Sequence, residues 1–563
     1  MHYATLELSG QYHEIGPQVG GIAGAAIQPQ FRLDLFYGQI ERLVKSRSIQ
    51  RVIIHRRKGF AVPAFGGLEE IGAALRRLSD AGKQLYYYAP EYDAFDCVLS
   101  SVCERRIIHP LGAVSFLGIA QQNMFFKRLL DTHAIGVEVI RRGRYKSAAD
   151  RFRTEKHDAY ARRQYQVLVD GAVAAMRQAV LRTPTGFVRE PMGEKILCEM
   201  LAGRILNAPE ARESGVVDEL RAINDLTNEW KTEKIKEKTI RRRRHLFAFG
   251  PRVAVLVYEG MIVEGDSHHN PLFGQAIGDR PMVKAIRALR ESRRVKAVVF
   301  RINSGGGSAV ASENVLRELV ALRAKKPLVI SMGPVAASGG YWIASTGDRL
   351  FALPTTITGS IGVVTLFFNL AELLRNHGIT TDCIKCGVSA DLGSAFRSLT
   401  DKERAAIDGV VQFLYDAFLG RVAQVRNMAP EAVHALGEGR VWLGGEAVRH
   451  NLVDAVGGLH DAIAYAKTLI KSDKARVTFG PRGKRPFIAR FLGGRSAWAL
   501  TDAGAAAATG EWPLSWPTTA AQGVLSTPSG GAGGLGAAIP FEVVRACLAL
   551  HGQPIFLDPG LCR

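Results

Sequence analysis

No run of eighteen apolar residues occurs anywhere in this chain of 563 residues, so no membrane-spanning helix is expected. The opening "MHYATLELSGQYHEIG" alternates apolar and polar residues like a strand and lacks the long apolar stretch of a secretory leader; no export signal is expected. Cysteine is sparse: the seven are scattered and odd in number. Cys383 and Cys386 in "CIKC" have redox or metal spacing, but no second pair or histidine partner completes a zinc site. They read as ordinary thiols of a reducing or thiol-tolerant location. The adjacent histidines of "DSHHN" (266–270) would face opposite ways on a strand, and a loop is the expectation there, so no metal is expected. Zinc-finger spacing and RNA-binding motifs with interleaved aromatics are also missing. So is the G-x-S-x-G turn of the α/β-hydrolases, because its first glycine position is Ala336.

What is present is a globular composition, 47% hydrophobic and 22% charged, long enough for two or more domains. The formal net charge is +20, from 73 Lys+Arg against 53 Asp+Glu. Such an excess favours acidic partners, an anionic lipid surface or nucleic acid, and the missing motifs argue against nucleic acid. Part of the excess is local: "KTEKIKEKTIRRRRH" (231–245) reads as a solvated linker.

The chain also repeats itself. "CVLSSVCERRIIHPLGAVSFLGI" (97–119) lies on "YWIASTGDRLFALPTTITGSIGV" (341–363) without a gap, Pro110 on Pro354 and Gly118 on Gly362 at a constant offset of 244 residues. His133 falls on His377 in the same register. "AGRILNAPEARESGVVDEL" (202–220) parallels "EGRVWLGGEAVRHNLVDAV" (438–456), and "SRSIQRVIIHR" (46–56) parallels "SRRVKAVVFRI" (292–302). The expected organisation is a first repeat over 1–230, a basic joint over 231–250, a second repeat over 251–472 and an extension over 473–563.

Within each copy, short β-branched runs such as "KAVVFRI" and "PLVISM" suit buried parallel strands. "PMVKAIRALRES" (281–292) and "SENVLRELVALRAK" (312–325) have helical amphipathic spacing. Strands alternating with helices imply right-handed βαβ units and an α/β class. The extension is rich in Gly, Ala, Ser, Thr and Pro and reads as flexible or loosely docked, with "FEVVRACLALHG" (541–552) a short docking or interfacial helix.

Differences between the copies are informative. Ser338 in "PVAASGGYWIAS" (334–345) falls on Ala94, and Lys146 in "GRYKSAAD" (143–150) falls on Ala390. "INSGGGSAVASE" (302–313) has no glycine-rich counterpart in the first copy, which reads "RRKGFAVPAFGG". Serine attack on a carbonyl needs a hydroxyl, a base and donors for the oxyanion. Ser338, Lys146 and the backbone N–H groups of the 305–307 glycines and Gly339 form a candidate set. A lysine base must be neutral, so its pKa must fall from about 10.4 towards roughly 7–8. Other readings stay open: Ser338 as a helix N-cap, a triad with His377, His434, His450 or His460, Lys385 as the base, Lys146 as a surface lysine. Trp342, Phe367 and Phe368 fit either a substrate groove or core packing.

These stretches, with "ASGGYWIASTGDRLFALPTTITGSIGVV" and "GRVWLGGEAVRHNLVDAVGG", resemble the signal peptide peptidase A (protease IV) family in its long tandem-repeat form, over about residues 1–470. The resemblance implies two ClpP/crotonase-like repeats and a serine–lysine dyad hydrolysing peptides, cleaved signal peptides and other extended or unfolded polypeptides among them. It places Ser338 as nucleophile, Lys146 as general base, Ser360 as a support for the lysine, and Gly306, Gly307 and Gly339 in the oxyanion region. It implies no cofactor, a homo-oligomer (a tetramer) and membrane association at an inner or plasma membrane. Two departures stand out. Ser304-Gly305-Gly306-Gly307 replaces the family's Ser-Pro-Gly-Gly, and the family's N-terminal anchor is not seen, which keeps a cytoplasmic location as the alternative. A crotonase-like acyl-CoA enzyme and a non-catalytic membrane scaffold are the rival functions.

Overall fold

The computed structural model describes residues 2–16, 30–181, 193–240, 250–270 and 274–480. Their two main sheets share a parallel core built on one plan, and the second adds Ile357–Gly359 with its antiparallel partner Val441–Leu443. In the first, the spatial order is Glu219–Leu220, Arg105–Ile108, Gln84–Ala89, Ile49–Arg56, His2–Leu8 and Lys236–Glu237. In the second it is Ala455–Val456, Arg349–Ala352, Leu328–Ala337, Val295–Ser304, Arg252–Glu259 and Arg476–Gly480. Ile49–Arg56 and Val295–Ser304, Arg105–Ile108 and Arg349–Ala352, and Glu219–Leu220 and Ala455–Val456 take matching positions and lie in the repeated segments, so the duplication read from sequence is a duplication of structure. The class is α/β with tandem repeats. The central strands are buried on both faces, which is why they read as unbroken apolar runs.

The two units share apolar surface. One core cluster runs from Leu6, Ile54, Leu68 and Leu75 of the first unit to Val253, Val299, Val329 and Ile463 of the second. Helix Phe65–Asp80 comes so close to the second sheet that a Cβ on Gly66 would stand 3.1 Å from Pro334 Cα. The second connection is a two-stranded antiparallel ladder, Gly136–Arg142 of the first unit on Val363–Asn369 of the second. Helix Asp401–Arg426 covers it, and Asp408 of that helix pairs with Arg142.

Three sequence expectations change. The basic run does not begin as a linker: Ile235 is buried in a cluster with Tyr3 and Trp230, and Lys236–Glu237 pairs beside His2–Tyr3. Its charges are solvated because they lie on the outside of a packed helix and an edge strand; residues 241–249 lie outside the described residues. The extension does not begin at 473, since Arg476–Gly480 adds a strand alongside Arg252–Leu256; from 481 onward, including 541–552, it lies outside the described residues. "DSHHN" contains a short strand, His268–Asn270, because its backbone finds an antiparallel partner in Gly274–Gly278.

Candidate active site

Ser338 stands where the strand Leu328–Ala337 passes into the short helix Gly339–Ala344. Its backbone is at φ 54°, ψ −121°, a region L-residues avoid at a cost of about 1–3 kcal/mol. Backbone bonds on both sides hold it there: its N–H donates to Gly359 O of the neighbouring strand at 2.8 Å, and its carbonyl accepts the first bond of the helix from Trp342 N at 2.9 Å. The residue occupies the N-cap position, yet its side chain makes no capping bond. Its hydroxyl, fully buried, faces Lys146 instead.

Lys146 comes from the other unit. It follows the cross-unit ladder by four residues, just as Ser360 precedes it by three. Lys146 Nζ lies 2.9 Å from Ser338 Oγ, 2.9 Å from Ser360 Oγ and 3.0 Å from Ser360 O. The loop carrying it docks on the second unit, with Tyr145 N donating to Glu438 O at 2.9 Å. Gly439, at φ 77°, lies so near that a Cβ there would stand 2.6 Å from Lys146 N. Only glycine lets the two backbones meet. Lys146 is 1% exposed, and burial holds its pKa well below the ordinary lysine range. Burial thus favours the neutral amine, and a neutral amine beside a serine hydroxyl can take its proton.

The glycine-rich turn is held by the strand Met261–Val263: Ile262 N donates to Gly306 O at 3.0 Å, and Ser308 N to Ile262 O at 2.9 Å. Gly307 is at φ 153°, and a Cβ there would stand 2.0 Å from Ile262 O. The Gly307 nitrogen lies 3.3 Å from where a Cβ on Gly339 would be, so the two glycines approach each other closely beside Ser338. Gly306 differs from the expectation: its N–H already donates to Ser304 Oγ at 3.1 Å and shapes the turn. Without the proline the resemblance calls for, that serine bond and the Ile262 clamp order the glycines.

The competing residues lie elsewhere. Lys385 pairs with Asp391 at 2.7 Å. The ring of His377 meets Leu373 O, that of His434 meets the Tyr415 hydroxyl, His450 packs on Trp442, and His460 meets the Tyr37 hydroxyl. Trp342 and Phe368 are core residues, packed on Phe418 and Phe152. In the first unit the position matching Ser338 is Ala94, at the start of a helix whose Asp96 is buried. Asp96 accepts from Arg56 at 2.8 Å and from the Tyr87 hydroxyl at 2.7 Å, so an ion-pair network fills the corresponding place.

The sequence profile of peptidase family S49 matches residues 77–236 and 320–473, more than half of the chain and both halves of the Ser338–Lys146 contact. The chain belongs to peptidase family S49. Protease 4 of Haemophilus influenzae is 30% identical over 441 residues, covering 73% of this chain and 68% of that protein. Protease 4 of Salmonella typhi is 28% identical over 475 residues, 81% of this chain and 75% of that one. The chloroplastic serine protease SPPA of Arabidopsis thaliana is 31% identical over 423 residues, 72% of this chain and 61% of its own length. In class, this S49 member is a serine peptidase acting on peptides.

Sequence reasoning missed the ladder that joins the units and the bearing of Gly439 on the lysine loop. The second had a signal, since "GEGR" (437–440) sits inside a repeated motif. Pairing between distant strands had none. Among the described residues, no helix is long and apolar enough to cross a membrane.

Proposed function

We propose that this S49 member is an endopeptidase working through a Ser338–Lys146 dyad and an acyl-enzyme. The observation that carries the reading is the 2.9 Å contact between a buried lysine amine and the hydroxyl of a strained serine. A neutral amine has two N–H groups and one lone pair. With the N–H groups directed to Ser360 O and Ser360 Oγ, the lone pair is left for the Ser338 proton.

Ser338 Oγ attacks the scissile carbonyl carbon as its proton passes to Lys146 Nζ. The oxyanion takes the N–H groups of Gly307 and Gly339. Collapse breaks the C–N bond, and Lys146 returns the proton to the leaving amine. A water, deprotonated by the again neutral lysine, then releases the acyl group and restores Ser338. Because Ser338 is fully buried, the substrate must enter as an extended or unfolded segment; cleaved signal peptides fit that form. The acyl-CoA and scaffold readings leave the dyad without a task. Loss of cleavage of an unfolded protein such as casein in Ser338→Ala and in Lys146→Ala supports the dyad. Near-normal cleavage by Lys146→Ala refutes it.

Self-association is the further part of this reading. The duplication places 119–125 opposite the ladder strand 363–369, and 380–386 opposite 136–142. Neither 119–125 nor 380–386 belongs to a strand, and 380–386 is exposed throughout. Pairing of one chain's 380–386 with the next chain's 119–125 would repeat the internal ladder head to tail. That junction would carry Ala390 and Ala94 where the internal one carries Lys146 and Ser338. A tetramer is the assembly the resemblance implies, and the net charge of +20 supports contact with an anionic membrane surface.

A further inference from the structure

Arg301 is a fully buried arginine in the apolar strand Val295–Ser304, three residues before the glycine-rich turn. Its Nε and Nη2 donate to the two carboxylate oxygens of Glu14 at 3.0 and 2.8 Å. Its Nη1 donates to Ser331 Oγ at 2.9 Å and Met332 O at 3.0 Å, both on the strand that ends at Ser338. Glu70 Oε2 lies 2.9 Å from the same Nη1, and Glu70 Oε1 accepts from Leu459 N. Glu14 and Glu70 belong to the first unit, Arg301 to the second. One guanidinium therefore faces two buried carboxylates across the unit boundary.

The fork sits at an irregularity in the second sheet. Ile302 pairs with Met332, but Ser304 pairs with Ala336, so the nucleophile strand carries two more residues than its neighbour over that interval. This bulge contains Gly333 and Pro334 and re-aims the strand just before Ser338. Glu14 covers it: a Cβ on Gly333 would stand 2.9 Å from Glu14 Oε1 and 2.9 Å from Asn303 Cβ. Asn303 Oδ1 in turn accepts from Val335 N at 3.2 Å.

Resting on the dyad reading above, we propose that Glu14 is a positioning residue. Through Arg301 and the Gly333 bulge it fixes where the strands ending at Ser338 and at the oxyanion turn point relative to Lys146. It is a charged tie between the units, separate from the cross-unit ladder and the shared apolar core, and it acts on the catalytic strands themselves. Its charge matters because a neutral carboxyl accepts more weakly and cannot make a charge-assisted fork with arginine. The groups facing Glu14 are Arg301, the Tyr12 hydroxyl at 3.1 Å, Glu70, and Glu259, which takes the Glu14 N–H and neighbours His13. Burial, with Glu259 and Glu70 adding to it against Arg301, pushes the Glu14 carboxyl up to about 7. As pH falls through that range the fork loses its charge, and the aim of the strands should loosen with it.

The test is single-turnover acylation by an activated peptide ester, with competent sites counted from the burst, in wild type, Glu14→Gln and Glu70→Gln from about pH 5.5 to about pH 9. Glu14→Gln should acylate about tenfold more slowly per competent site near pH 8 with KM within about twofold, and should lose one of two ionisations on the acid side. Glu70→Gln should lower thermal stability and keep the rate per site near pH 8, while moving the Glu14 ionisation to lower pH. Equal rates for Glu14→Gln and wild type at every pH overturn the proposal. If Glu14→Gln gives no burst, the wild-type profile decides: two acid-side ionisations support the proposal and one overturns it. Absence of any acyl group on Ser338 in wild type would instead refute the dyad, so the two failures are distinct.

Discussion

Arg142 and Val363 are register partners at one end of an antiparallel ladder that joins the two units. Beyond that end the chain reaches Lys146 within four residues on one side, and Ser360 lies three residues before it on the other. The ladder thus brings Lys146 and Ser360 to one point from halves of the chain more than two hundred residues apart. Each half lacks what the other supplies: Ala390 stands where Lys146 would repeat, and Ala94 where Ser338 would.

Activity should rise with pH and then level. Burial disfavours the ammonium form of Lys146, so its pKa lies well below the usual lysine value. Below that pKa the amine is protonated and cannot accept the Ser338 proton; above it the base is ready. A kcat profile measured across the neutral and alkaline range should show a rising limb and a plateau. A flat profile would remove the lysine from the mechanism.

Ser360→Ala removes one of the oxygens around Lys146 Nζ and leaves the Ser360 carbonyl. Losing an acceptor disfavours the charged amine further, so the rising limb should move to lower pH. Plateau kcat should fall about 10–100-fold as the amine loses its orientation. An unchanged profile with full activity would make Ser360 a bystander of its own turn.

Gly339→Ala puts a Cβ 2.6 Å from Ser312 Oγ and 3.3 Å from the Gly307 nitrogen. The new methyl crowds the two glycines proposed as oxyanion donors, and kcat should fall about 100-fold or more, the scale of losing one donor. The double variant Gly339→Ala/Ser312→Ala removes the closest clash and should recover part of the loss. Additive losses in the double variant would show that crowding at Ser312 is not the cause.

The head-to-tail reading is tested at the exposed segment around Ile384, which is 98% exposed. Ile384→Pro removes a backbone donor and cannot sit inside a strand ladder. Light scattering should show a smaller particle for this variant, while kcat per chain stays within about twofold because the dyad is intrachain. Unchanged particle mass would refute pairing through this edge.

The repeat and the α/β class were legible because they rest on local signals, apolar strand runs and turn glycines. Ser338 and Lys146 stood out as residues missing at the matched positions of the other copy; pairing them took the family resemblance. The union of the halves was not legible. "AVVFRIN" announces a charged residue inside a buried strand and so demands a partner, but nothing in that stretch names Glu14, more than 280 residues away. The glycine string 305–307 signals N–H groups near a carbonyl, yet which N–H is spent on Ser304 depends on the turn's folded shape. Lysines and arginines after 230 look like a linker because charge marks a solvated face, and helix Ile223–Thr232 and strand Lys236–Glu237 have such faces.

The central claim is that Lys146 activates Ser338. Its most direct test is the rate and site of acylation by an activated peptide ester, located by peptide mass mapping in wild type and Lys146→Ala at neutral pH. Wild type should carry the acyl group on Ser338, and Lys146→Ala should form it at least about a thousandfold more slowly. An acyl group on another residue, or equal rates in the two proteins, would contradict the account.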